Sequence, residues 1–169
     1  KLLNYSDYLS LEKVLSSQEL MSAKRGSPAH DEMLFIIIHQ VYELWFKQIL
    51  HELDSVILIF NQKSVMESDV SLMVLRLQRI IEIQKILIDQ IRVLETMTAM
   101  DFLEFRDDLF PSSGFQSAQF RLLENKLGLL KDHRINYGRH DYSSVIKEEE
   151  KIRVKKAEEI GRASCRERV

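Results

Sequence analysis

Helix breakers are scarce in this sequence, and the place where they are missing is informative. Its 169 residues include 2 prolines and 5 glycines, none of which falls between Ala29 and Phe110. Over that span apolar residues recur at helical rather than alternating spacing, which predicts long helices. Cysteine is reduced to Cys165, so no internal disulfide is possible. Long apolar runs are missing too: the longest, Met33–Ile38, is too short to span a bilayer. Neither sign of charge dominates. The 24 Lys and Arg against 26 Asp and Glu give a net charge of -2, which leaves no basic field for nucleic acid. No charged-then-apolar leader opens the chain, so no secretory signal is visible and a cytoplasmic protein is expected.

Several chemistries lack their motifs. There is no glycine-rich phosphate loop and no Gly-x-Ser-x-Gly elbow to present a nucleophilic serine. No His-Glu-x-x-His occurs, which argues against a zinc protease, and no Glu-x-x-His, which argues against a ferritin-like two-metal bundle. Lys155, Lys156 and the arginines beyond them form no basic stripe interleaved with aromatics.

What remains is an ordinary globular balance, 45% hydrophobic and 30% charged, long enough for one domain with a real core. The fold class is all-α. A modest first helix is expected over Tyr8–Met21, with Leu11, Val14, Leu15 and Gln18 along one side, followed by a loop from Ser22 to Pro28. A second helix is expected from about His30 to Phe60, where Phe35, His39, Tyr42, Phe46, Ile49, Leu53, Val56 and Phe60 share a face. A third, capped by Ser64 with Glu67 or by Ser68 or Asp69, runs to about Thr96 with Val70, Val74, Leu77, Ile81, Ile88 and Ile91 near one stripe. A fourth covers Ala99–Leu109 and stops before Pro111. A fifth covers Ala118–Leu130, with Gly128 near its end. Asp132 to Ser144 reads as a polar loop, and Ile146 to Glu159 as a charge-rich, weakly amphipathic segment.

Four places carry candidate chemistry. His39 lies on an apolar helix face among aromatics, where an imidazole is more often a satisfied core residue than a ligand; the alternative is a single directed hydrogen bond in a flat slot. Arg106 sits among Asp101, Glu104, Asp107 and Asp108. It is either a surface arginine in local ion pairs or an inward fork for a carboxylate. Ser113, before Gly114, is usually a turn device but also has a hydroxyl to present. Tyr5 and Tyr8, three apart, read as an anchor for the chain start.

Three long runs then point together: Pro28–Gln48 (PAHDEMLFIIIHQVYELWFKQ), Leu94–Arg106 (LETMTAMDFLEFR) and Pro111–Gly128 (PSSGFQSAQFRLLENKLG). In order and spacing they resemble the tryptophan 2,3-dioxygenase family, the likeness extending roughly from Tyr5 to Tyr142. The resemblance implies an incomplete helical bundle of the haem-dependent tryptophan/indoleamine dioxygenase type. It also implies insertion of both atoms of O2 across the indole C2–C3 bond of L-tryptophan to give N-formylkynurenine, the first step of the kynurenine pathway. Haem b would do the redox work while the protein orients substrate.

Position by position, the resemblance assigns His39 to the distal histidine that accepts the indole N–H. Phe35, Ile36, Ile37 and Ile38 join it in the substrate segment. Arg106 matches the arginine that pairs with the substrate carboxylate, with Phe102 and Leu109 lining that pocket. Ser113 matches a serine at the haem edge, beside Phe35 and His39 as cofactor contacts. Tyr5 and Tyr8 match tyrosines that enter a neighbouring subunit's site, which implies a homotetramer. The family's axial haem histidine lies downstream of these runs, and none of His30, His51, His133 or His140 matches it. The resemblance therefore implies residues 1–159 as the distal, substrate-side part of one haem dioxygenase domain, inactive by itself.

Ile160–Val169 resembles one reading frame of a sequencing-library adapter and is set outside fold reasoning. Without those ten residues the net charge would fall to -4, since three arginines and one glutamate leave. Two other readings stand beside the enzyme. An indoleamine-type dioxygenase would share the fold but typically lacks the histidine that His39 supplies. A non-catalytic helical interaction module would have the same periodicity.

Overall fold

A computed structural model describes residues 2–129, 133–134 and 146–166, with 160–166 described by backbone alone. Every regular element among the described residues is helical. Two helices dominate, α4 at Glu32–Phe60 and α5 at Glu67–Leu94. Both lie in the breaker-free span, as the periodicity predicts. No helix among the described residues is long and apolar enough to cross a membrane.

The chain divides into two compact units, one of Lys1–Gln40 with Arg92–Pro111, the other of Val41–Ile91 with Ser112–Val169. In the first unit the sequence predicts one helix over Tyr8–Met21 and a loop after it. Three short helices stand there instead: α1 (Tyr5–Leu9), α2 (Leu11–Leu15) and α3 (Met21–Arg25). Ser10 takes a left-handed conformation at φ +52° and ends α1. The Ser16 and Ser17 hydroxyls then donate to the Glu12 and Val14 carbonyls at 2.6 and 2.8 Å, competing with helix continuation. Helix α3 begins where it does because Glu32, at the head of α4, reaches across to cap it. The Glu32 carboxylate accepts the Met21 N–H at 2.7 Å and the Ser22 N–H at 3.0 Å, as well as the Ser22 hydroxyl. Ser22 Oγ in turn accepts the Ala29 N–H at 2.9 Å. Glu32 and Ser22 are fully buried, and every oxygen is engaged.

The same unit holds α6 (Ala99–Leu103) and a 3-10 turn, Arg106–Leu109. The sequence predicts one helix here; the α-helix instead gives way after Leu103 to a tighter turn. A capping box sets the start of α6: Asp101 N–H donates to Thr98 Oγ1 at 3.2 Å, and Thr98 N–H to Asp101 Oδ2 at 2.9 Å.

In the second unit the core gathers Ile49, Leu50 and Leu53 of α4, Ile80 and Ile83 of α5, and Ala118, Leu122 and Leu123 of α7 (Ala118–Lys126). Ile146 joins them, with Val154 and Ala157 of α8 (Glu148–Arg166). A smaller cluster joins Val56, Ile59 and Met73. The buried face of α5 differs from the expected stripe. Met73, Ile80 and Ile83 are buried, whereas Val70, Val74, Leu77, Ile81, Ile88 and Ile91 are exposed. Two apolar stripes run along this helix, and spacing alone cannot choose between them. Polar anchors fix the choice: Tyr42 donates to the Leu87 carbonyl at 2.6 Å, and Arg79 pairs with buried Glu52 at 2.6 Å. Helix α5 starts directly after Met66, ahead of the expected caps Ser68 and Asp69; Asp69 lies inside its first turn, where its carboxylate accepts the Met66 N–H at 3.1 Å. Helix α7 ends before Leu130 because Gly128, at φ +75°, closes a left-handed C-cap in which Leu129 N–H donates to the Glu124 carbonyl at 2.9 Å. Of the expected polar loop, only His133 and Arg134 fall within the described residues.

Candidate functional site

The first unit concentrates the candidate chemistry where the start of α4 meets α6 and the turn after it. Phe35 and His39 are one helical turn apart on α4, so their side chains share a face. Their rings stand 4.1 Å apart, tilted at 37°. Phe102 and Phe105 complete the cluster. Phe35 lies 5.8 Å from Phe102 and 5.6 Å from Phe105, and those two meet edge-on at 5.4 Å and 89°. Edge-on aromatic pairs contribute about 0.5–1.5 kcal/mol beyond area burial. Phe105 is 1% exposed, the pivot on which the other rings rest.

His39 has a defined ring orientation. Its Nδ1 lies 2.7 Å from the Phe35 carbonyl oxygen. A carbonyl only accepts, so Nδ1 carries the proton. In the neutral ring Nε2 is then an acceptor, and no partner among the described residues occupies it. The imidazole is half-buried. Phe35 therefore supplies both the flat apolar wall and the backbone oxygen that orients the imidazole beside it.

Arg106 follows Phe105 directly and opens the 3-10 turn. Its side chain is exposed, and no ion pair or hydrogen bond among the described residues engages it. The acidic neighbours expected to hold it are committed elsewhere or exposed. Asp101 is tied into the α6 cap, where the Thr98 side-chain hydrogen bond, then the Thr98 backbone N–H, holds its carboxyl below the usual range. Asp108 pairs with Arg25 at 3.2 Å.

Of the other sequence-predicted residues, Phe102 joins Phe35 and His39, and Leu109 is half-buried at the end of the same turn as Arg106. Ile36 is half-buried and Ile37 exposed, while Ile38 lies in the core. Tyr5 and Tyr8 stand on α1 with 73% and 71% of their surface exposed. Ser113, in the second unit, is a turn device: Phe115 N–H donates to its Oγ at 3.3 Å, and its own N–H donates to Gln116 Oε1 at 3.1 Å. No acceptor of its hydroxyl hydrogen stands among the described residues.

Sequence reasoning misses Phe105 as part of the cluster, although its spacing of three from Phe102 was a signal. It also misses Glu32 and Ser22, whose only signal is a charged residue at the head of an apolar run.

A sequence profile of the family described as "Tryptophan 2,3-dioxygenase" matches residues 2–166. The protein of that name from Dictyostelium discoideum is 55% identical over 147 residues, covering 87% of this chain and 37% of that protein. The one from Alteromonas mediterranea is 53% identical over 147 residues, covering 87% and 41%. The one from Xenopus tropicalis is 57% identical over 146 residues, covering 86% and 36%. The chain thus spans well under half the length of these relatives.

Proposed function

The chain belongs to the tryptophan 2,3-dioxygenase family, and on that footing we propose that it forms the distal, substrate-side part of a haem dioxygenase that opens the indole ring of L-tryptophan with O2 to give N-formylkynurenine. One observation carries this reading beyond the family likeness: the Nδ1–H to carbonyl bond that leaves His39 Nε2 as an acceptor against the Phe35 ring. An indole offers one N–H donor on a flat apolar plate, and this pair is its complement.

In this reading His39 accepts the indole N–H and fixes which edge of the ring is presented. Phe35 stacks on the indole, with Ile36, Ile37 and Ile38 on the same segment, and Phe102 and Leu109 line the carboxylate side. Arg106 offers its planar fork to the carboxylate, since no carboxylate among the described residues holds it. The side chains present would suit haem b: the aromatic Phe35, the aliphatic residues after it, the His39 imidazole and, at Ser113, a hydroxyl. Phe35 and His39 of the first unit would line such a haem, and the family resemblance adds Ser113 of the second unit as a further contact. Haem, when bound, supplies the iron at which O2 is activated.

The proposal extends to a cytoplasmic homotetramer in which Tyr5 and Tyr8, well exposed on α1, enter a neighbouring subunit's site. Residues 1–159 form the distal part, and 160–169 are proposed as an adapter-derived tail.

A chimera tests the activity. The segment of the Dictyostelium discoideum relative that matches this chain is replaced by the chain's own residues, and the haem-loaded product is given L-tryptophan and O2. N-formylkynurenine formation that is sharply reduced, yet still measurable, in His39→Ala and Arg106→Met supports the reading. A folded, haem-loaded chimera that forms no product overturns it.

A further inference from the structure

Arg25 brackets Arg106. Its Nη2 donates to the backbone carbonyl of Glu104 at 3.0 Å and lies 3.2 Å from Asp108 Oδ2. These acceptors belong to the residues two before and two after Arg106, so one guanidinium spans the turn from which Arg106 projects. Arg25 is itself held at the end of α3, where Gly26 at φ +91° turns the chain away. The far end of α3 is fixed by the buried Glu32 carboxylate at the head of α4. Helix α4 carries Phe35 and His39 within the next two turns. The first unit thus links the segment bearing the imidazole to the segment bearing Arg106 through Glu32, α3 and Arg25.

Charge gives this link a purpose. Asp108 is the more buried partner of its pair, with 14% of its side chain exposed against 49% for Arg25. Its Oδ2 is inaccessible to water, and Arg25 is the cation beside it. Without Arg25 that carboxylate must find another cation or turn out to water. The nearest in sequence is Arg106, and either outcome remakes the turn.

We propose that Arg25 is a positioning residue for recognition of the substrate carboxylate. It clamps the Arg106–Leu109 turn and occupies Asp108, which keeps the Arg106 guanidinium available to the carboxylate of an α-amino acid. The inference rests on the dioxygenase reading above and adds a residue to it.

The test uses the haem-loaded chimera and separates recognition from general stability. Arg25→Met is expected to raise KM for L-tryptophan about tenfold, as loss of a charge-assisted contact does, with kcat changed less than about threefold. In an Arg106→Met background the same change adds nothing, since the two act through one contact. Inhibition by tryptamine, which keeps the indole and amine but lacks the carboxylate, is unchanged by Arg25→Met. Asp108→Asn restores KM in the Arg25→Met protein by removing the orphaned charge. If Arg25→Met does not fold, Arg25→Lys takes its place; it keeps one contact of the two and is expected to give a smaller KM rise that again vanishes in the Arg106→Met background. Additive effects with Arg106→Met, or an equal loss toward tryptamine, overturn the proposal while the dioxygenase reading stands. A folded, haem-loaded chimera inactive before any of these changes removes that reading and this inference together.

Discussion

His39 donates its Nδ1–H to the Phe35 carbonyl at 2.7 Å while the two rings stand 4.1 Å apart. One residue thereby sets both the tautomer of the imidazole and the apolar wall beside its free nitrogen. The pair is local, i and i+4 on one helix, so its geometry follows from helix pitch as much as from packing.

That relationship makes a prediction about substrate choice. If Nε2 accepts the indole N–H, a substrate methylated at the indole nitrogen loses the donor and leaves the acceptor unpaired. Discrimination between L-tryptophan and its 1-methyl derivative should be about 1–3 kcal/mol in kcat/KM, and His39→Ala should shrink it toward nothing. Kinetics of the haem-loaded chimera with both substrates measure it. An undiminished ratio in His39→Ala would mean that the selectivity arises elsewhere.

Glu32 is the second prediction. Its carboxylate satisfies two backbone N–H groups and a hydroxyl in a fully buried place. Glu32→Ala leaves those donors unpaired and is expected to destabilise the chain by about 3 kcal/mol or more. Glu32→Gln keeps the size and one acceptor oxygen and should cost less. Urea unfolding of the variants gives the comparison, and equal midpoints for Ala and wild type would refute the capping role.

How much of this was legible in the sequence depends on whether the cause is local. The long helices were, because a breaker-free span at helical spacing has few other solutions. The pairing of Phe35 with His39 was, because i and i+4 meet on any helix. The breakup of Tyr8–Met21 was not: it depends on the left-handed turn at Ser10 and on a carboxylate that arrives from Glu32, ten residues beyond Ser22. The clamp on Arg106 was invisible for the same reason, since Arg25 and Glu104 are 79 residues apart. The spacing of charges around Arg106 suggested local ion pairs, yet its acidic neighbours Asp101 and Asp108 have partners of their own.

A third prediction concerns acid. Burial pushes the Glu52 carboxyl up. The hydrogen bond and charge of Arg79 outweigh this, with help from Gln48 and the charge of His51, and the net shift is downward. A carboxyl whose folded value lies below its unfolded value contributes stability that is full above the ordinary carboxylate range, then lost as pH falls through the folded value. Arg79→Met removes the main downward cause and leaves the buried carboxylate without its cation. It should cost about 1–3 kcal/mol at neutral pH, toward the lower end because Arg79 is half exposed to water. The decline in stability on acidification should also change shape, the gap between variant and wild type narrowing as Glu52 protonates. Urea midpoints measured from neutral pH downward decide it, and a gap independent of pH would exclude the ion pair as its source.

The last prediction turns on adjacent residues of α5. Ile80 is 4% exposed and packs with Leu53 and Leu122 in the core, whereas Ile81, one residue on, is half exposed and Ile88, seven further, is 72% exposed. With Val74 they form a heptad-spaced stripe, and Val70 and Leu77 widen it into an apolar face exposed among the described residues. Such a face favours association of the isolated chain with itself. Replacing Ile81 and Ile88 by Lys should therefore reduce self-association in sedimentation. Folding stability should change by no more than about 0.5 kcal/mol per site, as for ordinary surface substitutions. Replacing Ile80 by Ala should do the reverse, costing about 2–5 kcal/mol through the cavity it leaves while the apolar stripe stays intact. The contrast is sharp because all three positions hold isoleucine and differ in the helix face they occupy. If Ile81→Lys and Ile88→Lys unfolded the chain while Ile80→Ala did not, the stripe expected from spacing would be the buried one, and the face assigned to α5 would have to be reversed.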